Sequence, residues 1–248
     1  MPRHELLKLS QPNCIYCAGE NLTVSTDHMP PRILFDAKLR PKGLEFGSCQ
    51  SCQDSTRREE LAVAMFSRIF PDAKTPKAQA ESRKITKQTN RKFPGLFEEM
   101  YVDQLSVLNE LGTGAGRLPT WNFVSCGGPI ASSIIEAFAK KLSLALHFEL
   151  TKEIVPRGSG IFMTHFTNYA AIVDGMPGDL MNALGKEKLL EMGRQSSADV
   201  FTYHSQRFDT EPTTIHMAYF RQSFALLMVV YPKFADVPAE LLRGIMVH

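Results

Sequence analysis

The chain has 248 residues, of which 44% are hydrophobic and 22% charged, a globular balance that excludes wholesale disorder. No apolar run reaches the roughly 18 residues of a membrane span, and the N-terminus lacks the apolar stretch of a signal peptide. The formal net charge is only +2, but residues 1–92 hold 16 basic and 10 acidic side chains. We therefore expect a cytoplasmic protein without a membrane partner, whose basic third suits a phosphate-rich partner; a merely solvated basic surface is the alternative.

Four of the five cysteines form two CxxC pairs, Cys14 with Cys17 and Cys49 with Cys52. Each CxxC turn can present two thiolates to one ion, and two such pairs complete the tetrahedral shell of a structural zinc site. An odd cysteine count in this spacing, with Cys126 left over, favours metal thiolates in a reducing compartment over disulfides. We predict a Zn²⁺ site with no open coordination position, which contributes folding energy and does not catalyse.

Asp27 and His28 lie between the two cysteine pairs, and Pro30 and Pro31 prevent a helix from following directly. A histidine is the usual general base near neutral pH, and an adjacent carboxylate can hold a hard divalent cation such as Mg²⁺. Phosphodiester hydrolysis uses both, because a base must activate water and a cation must stabilise the charge near the leaving oxygen. The alternative is a zinc ribbon that binds without catalysing.

The remaining elements are helices followed by strands. Apolar spacing, caps and prolines predict helices at 52–69, 95–111, 129–149 and 176–192. The mixture of Ala, Gln, Glu and Lys in the basic stretch 74–92 allows a polar helix there. Runs rich in β-branched and aromatic residues predict three antiparallel strands at 200–203, 213–217 and 223–231. His147, at the end of the helix that starts at Pro129, is expected to be a helix-end or core residue and not a ligand.

Residues 14 to about 60 resemble the zinc-stapled HNH endonucleases, which have a ββα-metal fold. The resemblance rests on the segments CIYC from Cys14, DHMPPRILF from Asp27 and CQSCQDSTRREE from Cys49. It implies His28 as the general base, Asp27 as a ligand of a catalytic Mg²⁺ or Mn²⁺, and Gln53 or Asp54 as the helix's ligand to the same ion. The family commonly has Asn where this chain has Gln53, and its middle Asn or His has no counterpart between Pro31 and Cys49.

Five basic side chains of this region are the candidate phosphate contacts, although each of them alone could be a solvated charge. They are Arg32, Arg40, Lys42, Arg57 and Arg58. The predicted function is a metal-dependent endonuclease that hydrolyses phosphodiester bonds in DNA, with RNA as an open alternative substrate. The competing hypothesis is a catalytically degraded HNH fold, or a zinc ribbon, that binds nucleic acid or another partner without catalysis.

The sequence therefore predicts an α+β protein with three parts. Residues 1–70 form the four-cysteine, HNH-like ββα module, and residues 71–92 form a basic helical connection. Residues 93–248 form a larger helical region that ends in an antiparallel sheet. We expect this last part to serve specificity, homodimer formation or partner binding.

Overall fold

The computed structural model describes residues 3–70, 75–101, 125–167, 182, 184–208 and 212–248. Its helices are α1 (Arg3–Ser10), α2 (Gln50–Asp54), α3 (Arg57–Phe66), α4 (Pro76–Lys92), α5 (Leu96–Met100) and α6 (Pro129–Thr151). Its strands are β1 (Ser25–His28), β2 (Glu45–Ser48), β3 (Gly160–Thr167), β4 (Lys188–Leu189), β5 (Glu191–Met192), β6 (Gln195–Ser196), β7 (Phe201–Arg207), β8 (Thr214–Phe220), β9 (Phe224–Tyr231) and β10 (Ile245–Val247). The protein is thus α+β, as predicted.

The N-terminal part has the order strand, strand, helix. β1 and β2 are antiparallel, with Ser25 opposite Ser48 and His28 opposite Glu45, and α2 begins directly after β2. Gly47 in β2 allows the preceding chain to approach closely, because a Cβ atom there would lie 2.4 Å from the Thr23 Oγ1 atom. The segment before β1 therefore lies directly against β2 at Gly47.

A six-stranded antiparallel sheet forms the C-terminal part, in the order β10-β3-β9-β8-β7-β4. The three strands predicted from sequence are β7, β8 and β9, at its centre. α6 packs on one face of this sheet, where Phe138 meets Phe220 with ring centroids 5.7 Å apart. All residues of β8 are buried, as expected for a central strand covered on both faces.

The helices expected at 74–92 and 129–149 are both present, and the structure shows how each one begins. In α4, Thr75 caps the first turn by accepting a hydrogen bond from Ala78 N, and Pro76 occupies the first position. α6 begins at Pro129, and the Glu99 carboxylate accepts hydrogen bonds from the backbone N–H groups of Ile130 and Ala131. A carboxylate from another helix therefore satisfies donors that a helix start leaves without partners.

Other helix predictions were wrong in part. The helix expected at 52–69 is interrupted at Thr56, whose backbone is not helical, and so becomes α2 and α3. The end of the helix expected at 176–192 is extended, because Lys188 and Leu189 pair with β7. Tertiary pairing has overridden local helix preference there. The helix expected at 95–111 is present only as α5, because Tyr101 after Met100 is extended. Residues 184–187 of the other prediction are not helical either, and residues 102–111, 176–181 and 183 lie outside the described residues.

One cluster of buried hydrophobic side chains runs from Cys14 in the N-terminal part to Val230 in the sheet. Phe46 in β2 meets Phe148 in α6 edge to face, with centroids 6.2 Å apart. α6 therefore contacts both the sheet and the N-terminal part. The division at residues 70 and 93 stays a prediction. Among the described helices, none is both long and apolar enough to cross a bilayer.

Candidate functional site

The four CxxC cysteines come together as predicted. The Sγ atoms of Cys14, Cys17, Cys49 and Cys52 all lie within 4.8 Å of one another. Tetrahedral zinc with bonds near 2.3 Å separates its sulfur ligands by about 3.8 Å, so the four atoms fit one ion after small shifts. Over the described ranges, no other group of three or more His, Cys, Asp and Glu side chains is close enough to hold a metal.

Neighbouring polar groups support thiolates at this site. Tyr16 N lies 3.4 Å from Cys14 Sγ, Asn21 Nδ2 lies 3.4 Å from Cys17 Sγ, and the Ser51 hydroxyl contacts Cys49 Sγ at 3.2 Å. A hydrogen bond from Cys52 is the main reason that the pKa of Cys14 falls to about 4, although burial opposes the shift, and the same contact raises the pKa of Cys52. The donor set and its hydrogen bonds therefore fit a structural zinc ion.

Cys126 does not belong to this group. It is 2% exposed, and burial raises the pKa of its thiol to about 12. Cys126 is therefore a protonated core side chain.

Asp27 lies on the buried face of β1, against α3 and α6. The Nζ atom of Lys141 in α6 lies 3.0 Å from Asp27 Oδ2, 3.0 Å from Glu60 Oε1 and 3.0 Å from Thr56 Oγ1. The Tyr16 ring completes the surroundings, with its centroid 5.4 Å from the same nitrogen. We call Asp27, Thr56, Glu60 and Lys141 the Lys141 cluster.

Two carboxylates share one ammonium in this cluster, and the pKa shifts reflect that imbalance. Burial alone would lower the pKa of Lys141, but Asp27 and Glu60 outweigh burial and raise it. Burial raises the pKa of Glu60, and repulsion from Asp27 adds to the increase although Lys141 acts against it. The lysine is therefore charged at neutral pH, and ionisation of Glu60 is disfavoured.

His28 follows Asp27 in the strand and so points to the opposite face. It is half-buried, and an Nη2 atom of Arg32 lies 3.1 Å from its Nε2 atom. A guanidinium can only donate, so Nε2 accepts and the imidazole is neutral. Burial lowers the pKa of His28, and the charges of Arg40 and Arg32 lower it further. His28 is therefore unprotonated near pH 7, the form that a general base requires.

Gln53 and Asp54, the predicted helix ligands, have partners of their own. The Ser25 hydroxyl donates to Gln53 Oε1 at 2.9 Å, which ties α2 to β1. Asp54 accepts from Gln50 Nε2 at 2.6 Å and forms an ion pair with Arg57 at 3.0 Å. The three predicted carboxylate and amide ligands thus have three separate sets of contacts, and a divalent cation held between them is still a proposal.

Arg40 holds the loop between β1 and β2. Its guanidinium donates to five backbone carbonyl groups of this loop, at distances from 2.7 to 3.3 Å. The acceptors are Met29, Pro30, Pro41, Gly43 and Leu44. Few of its donors are left for a phosphate, and its geometry supports a structural role.

The other predicted phosphate contacts are exposed side chains. Arg32 and Lys42 lie on the loop between β1 and β2, and Arg57 and Arg58 lie at the start of α3. Arg58 also donates to Lys92 O at 2.8 Å and covers the Phe93 ring. A groove with a volume of about 480 Å³ lies between α3 and α4, and Arg57 is one of its lining residues. Its lining residues are Ile33, Arg57, Glu60, Leu61, Gln88, Arg91 and Lys92.

Sequence reasoning missed Lys141, Thr56 and Glu60. A signal for Lys141 was available, because it lies three residues after Phe138 and seven after Ile134 on the apolar stripe of α6. A lysine on a buried stripe requires an anionic partner. Nothing in the sequence identified which carboxylates would supply it.

Comparisons with models of known protein families, with curated proteins and with solved structures found no significant match to this chain.

Proposed function

We propose that the N-terminal part is a metal-dependent endonuclease module that hydrolyses phosphodiester bonds, with DNA as the first substrate to test. One observation carries the proposal. The four-cysteine group lies beside a strand–strand–helix unit in which Asp27 and His28 end the first strand. The same order supports the resemblance to HNH endonucleases, whose base and metal ligand occupy these two positions.

His28 would act as the general base. Its pKa is lowered, so the neutral imidazole is available at neutral pH to take a proton from water. Arg32 now donates to Nε2, and because Arg32 is exposed its guanidinium can turn to a phosphate and free the nitrogen. A divalent cation such as Mg²⁺ or Mn²⁺ supplies charge stabilisation for the leaving oxygen when it is bound.

The cysteine-bound Zn²⁺ would have a structural task in this proposal. Four thiolates leave no coordination position for water or substrate, so the ion would connect the turn at Cys14 to the start of α2. It would hold β1 and α2 at a fixed distance, as the Ser25–Gln53 hydrogen bond also does.

A second candidate is a zinc-dependent nucleic-acid-binding module without hydrolytic activity. The contacts of the predicted metal ligands favour it, since Asp27 is paired with Lys141 and Gln53 with Ser25. In this case the exposed basic side chains around α3 would contact phosphates and His28 would have no chemical role.

A nicking assay separates the two candidates. Supercoiled plasmid and a single-stranded RNA are incubated with the full chain in Mg²⁺, Mn²⁺ or EDTA, beside His28→Ala and the control His248→Ala. If His28 is the general base, His28→Ala should lower the cleavage rate by roughly 100-fold or more, and the control should leave it unchanged. Equal cleavage by the wild type and His28→Ala overturns the first candidate. Binding without cleavage, with an affinity that falls steeply with salt, supports the second.

A further inference from the structure

We propose that the Lys141 ammonium is the cation of Asp27 and Glu60, and that the folded chain therefore does not bind Mg²⁺ or Mn²⁺ through Asp27. The inference replaces the metal-ligand role that the resemblance implies for Asp27, and it holds whether or not the proposed function is correct. If hydrolysis occurs, its divalent cation must be held by other ligands.

The number and direction of the oxygen atoms suit an ammonium. Three oxygens from β1, α3 and the residue before α3 lie 3.0 Å from Lys141 Nζ, which has three N–H donors. Glu60 and Thr56 accept hydrogen bonds from it, whereas Asp27 Oδ2 forms an ion pair without hydrogen-bond geometry. Asp27 is 7% exposed, so its carboxylate depends on this cation for compensation.

A hydrated divalent ion fits the same place poorly. Mg²⁺ requires close to octahedral geometry and keeps several water ligands. Here the space beside the three oxygens is taken by the lysine side chain and by the Tyr16 ring, 5.4 Å from Nζ. An aromatic face attracts an ammonium but supplies no ligand atom for Mg²⁺. The surroundings therefore select the lysine over a metal ion.

The position of Lys141 also makes it difficult to displace. Its side chain is 5% exposed and projects from the middle of a 23-residue helix packed on the sheet. The ammonium is therefore delivered intramolecularly, at an effective concentration that a free ion in solution cannot match. Removing it would leave two carboxylates and a hydroxyl facing an emptied space, which is a donor set for a hard divalent ion.

Mn²⁺ binding tests the inference separately from cleavage. The zinc-loaded full chain is titrated with Mn²⁺, and free ion is measured by electron paramagnetic resonance, for wild type and Asp27→Asn. We expect the same binding for both, because Asp27 is already paired. Weaker binding by a folded Asp27→Asn chain would overturn the proposal, and it would leave a metal-dependent hydrolase intact.

A second set of variants tests the vacated site. Lys141→Ala should gain one Mn²⁺ site at least tenfold tighter than any in the wild type, and adding Asp27→Asn should remove it. Lys140→Ala is the matched control, since that neighbour contacts Val247 O instead, and it should gain nothing. A folded Lys141→Ala chain that gains no site contradicts the proposal. If Lys141→Ala does not fold, the comparison of the wild type with Asp27→Asn decides.

Discussion

The Lys141 Nζ atom lies 3.0 Å from Asp27 Oδ2, and this contact joins the middle of α6 to the strand that carries the candidate general base. Both side chains are almost fully buried, at 5% and 10% exposed. Removing one partner of such a pair leaves an uncompensated charge in the interior. The contact therefore matters for stability whether or not the protein hydrolyses nucleic acid.

Lys141→Met keeps the length of the side chain and removes its charge. We expect it to lower the free energy of unfolding by about 3–5 kcal/mol, because Asp27 and Glu60 lose their cation. Lys140→Met is the control and should cost less than about 1 kcal/mol, since Lys140 makes a more exposed contact. Guanidinium chloride unfolding followed by circular dichroism measures both. Equal effects of the two variants would contradict the importance of the Lys141 cluster.

The cysteine group predicts that each chain binds one zinc ion and that the folding of the N-terminal part depends on this ion. Cys52→Ser should remove most of the zinc, and a chelator should unfold the N-terminal part, because structural zinc contributes on the order of 10 kcal/mol. Cys126→Ser provides the control, as this buried thiol lies outside the group. Elemental analysis of purified protein gives the zinc content. Unchanged zinc in Cys52→Ser would rule out the four-thiolate site.

The lowered pKa of His28 predicts a specific titration. Its nuclear magnetic resonance titration midpoint should lie below 6.5, since burial, Arg40 and Arg32 disfavour the imidazolium. Arg32→Gln removes one of these charges and should raise the midpoint, whereas Lys42→Gln should leave it unchanged. If the protein cleaves nucleic acid, the acid limb of the pH–rate profile should move in the same direction. A midpoint above 6.5 in the wild type would contradict the neutral histidine.

Substitution of Arg40 tests whether this side chain is a structural residue or a phosphate contact. Arg40→Ala should destabilise the fold by about 3 kcal/mol or more, because five backbone carbonyl groups lose a charged donor. Lys42→Ala, at an exposed position on the same loop, should change stability by less than about 0.5 kcal/mol. Thermal unfolding of the two variants gives the comparison. A stable Arg40→Ala chain with weakened nucleic-acid binding would instead support a phosphate contact.

Two buried histidines predict a loss of stability in acid. Burial and the charge of Arg207 lower the pKa of His147 to about 4, and burial lowers that of His216 as well. The unfolded chain binds protons at these sites below about pH 6.5 while the folded chain does not, so stability falls as pH falls. We expect His147 to contribute roughly 2 kcal/mol of this loss between pH 7 and pH 5, and His216 to act in the same direction.

A histidine variant separates the contribution of the buried histidines from other effects of acid. These include protonation of the thiolates and protonation of Glu60, whose raised pKa makes the folded state more stable as pH falls. His147→Gln keeps a hydrogen-bonding group towards Thr214 and cannot take up a proton. Its stability should therefore decrease less between pH 7 and pH 5 than that of the wild type. The same pH dependence in both chains would contradict the prediction.

The features that the sequence predicted are those that local pattern controls. CxxC spacing predicted the cysteine group, the residue mixture at 74–92 allowed α4, the proline at position 129 marked the start of α6, and β-branched runs predicted β7 to β9. Each CxxC pair, helix and strand depends on residues within a few positions of one another, and the need of a tetrahedral zinc ion for four ligands predicts that the two cysteine pairs meet. Identification of the three central strands required no knowledge of their partners.

The partners of Asp27 depended on contacts that are distant in sequence, and these were not predicted. Local pattern marked Asp27 as a metal ligand, while its observed neighbour, Lys141, comes from a helix in the C-terminal part. Thr56, where the predicted helix is interrupted, accepts a hydrogen bond from the same distant Lys141. A single sequence shows that a buried lysine needs an anion, but it does not show which one.

The shared interior has a consequence for how this chain could be divided or recombined. A fragment that ends at residue 70 or 92 would keep Asp27 and Glu60 but lose the ammonium of α6, and it would expose Phe46 where Phe148 now packs. Zinc binding would not replace either loss. The cysteine-bearing part is thus not expected to keep its fold when it is separated from α6, and fusions or truncations must include that helix.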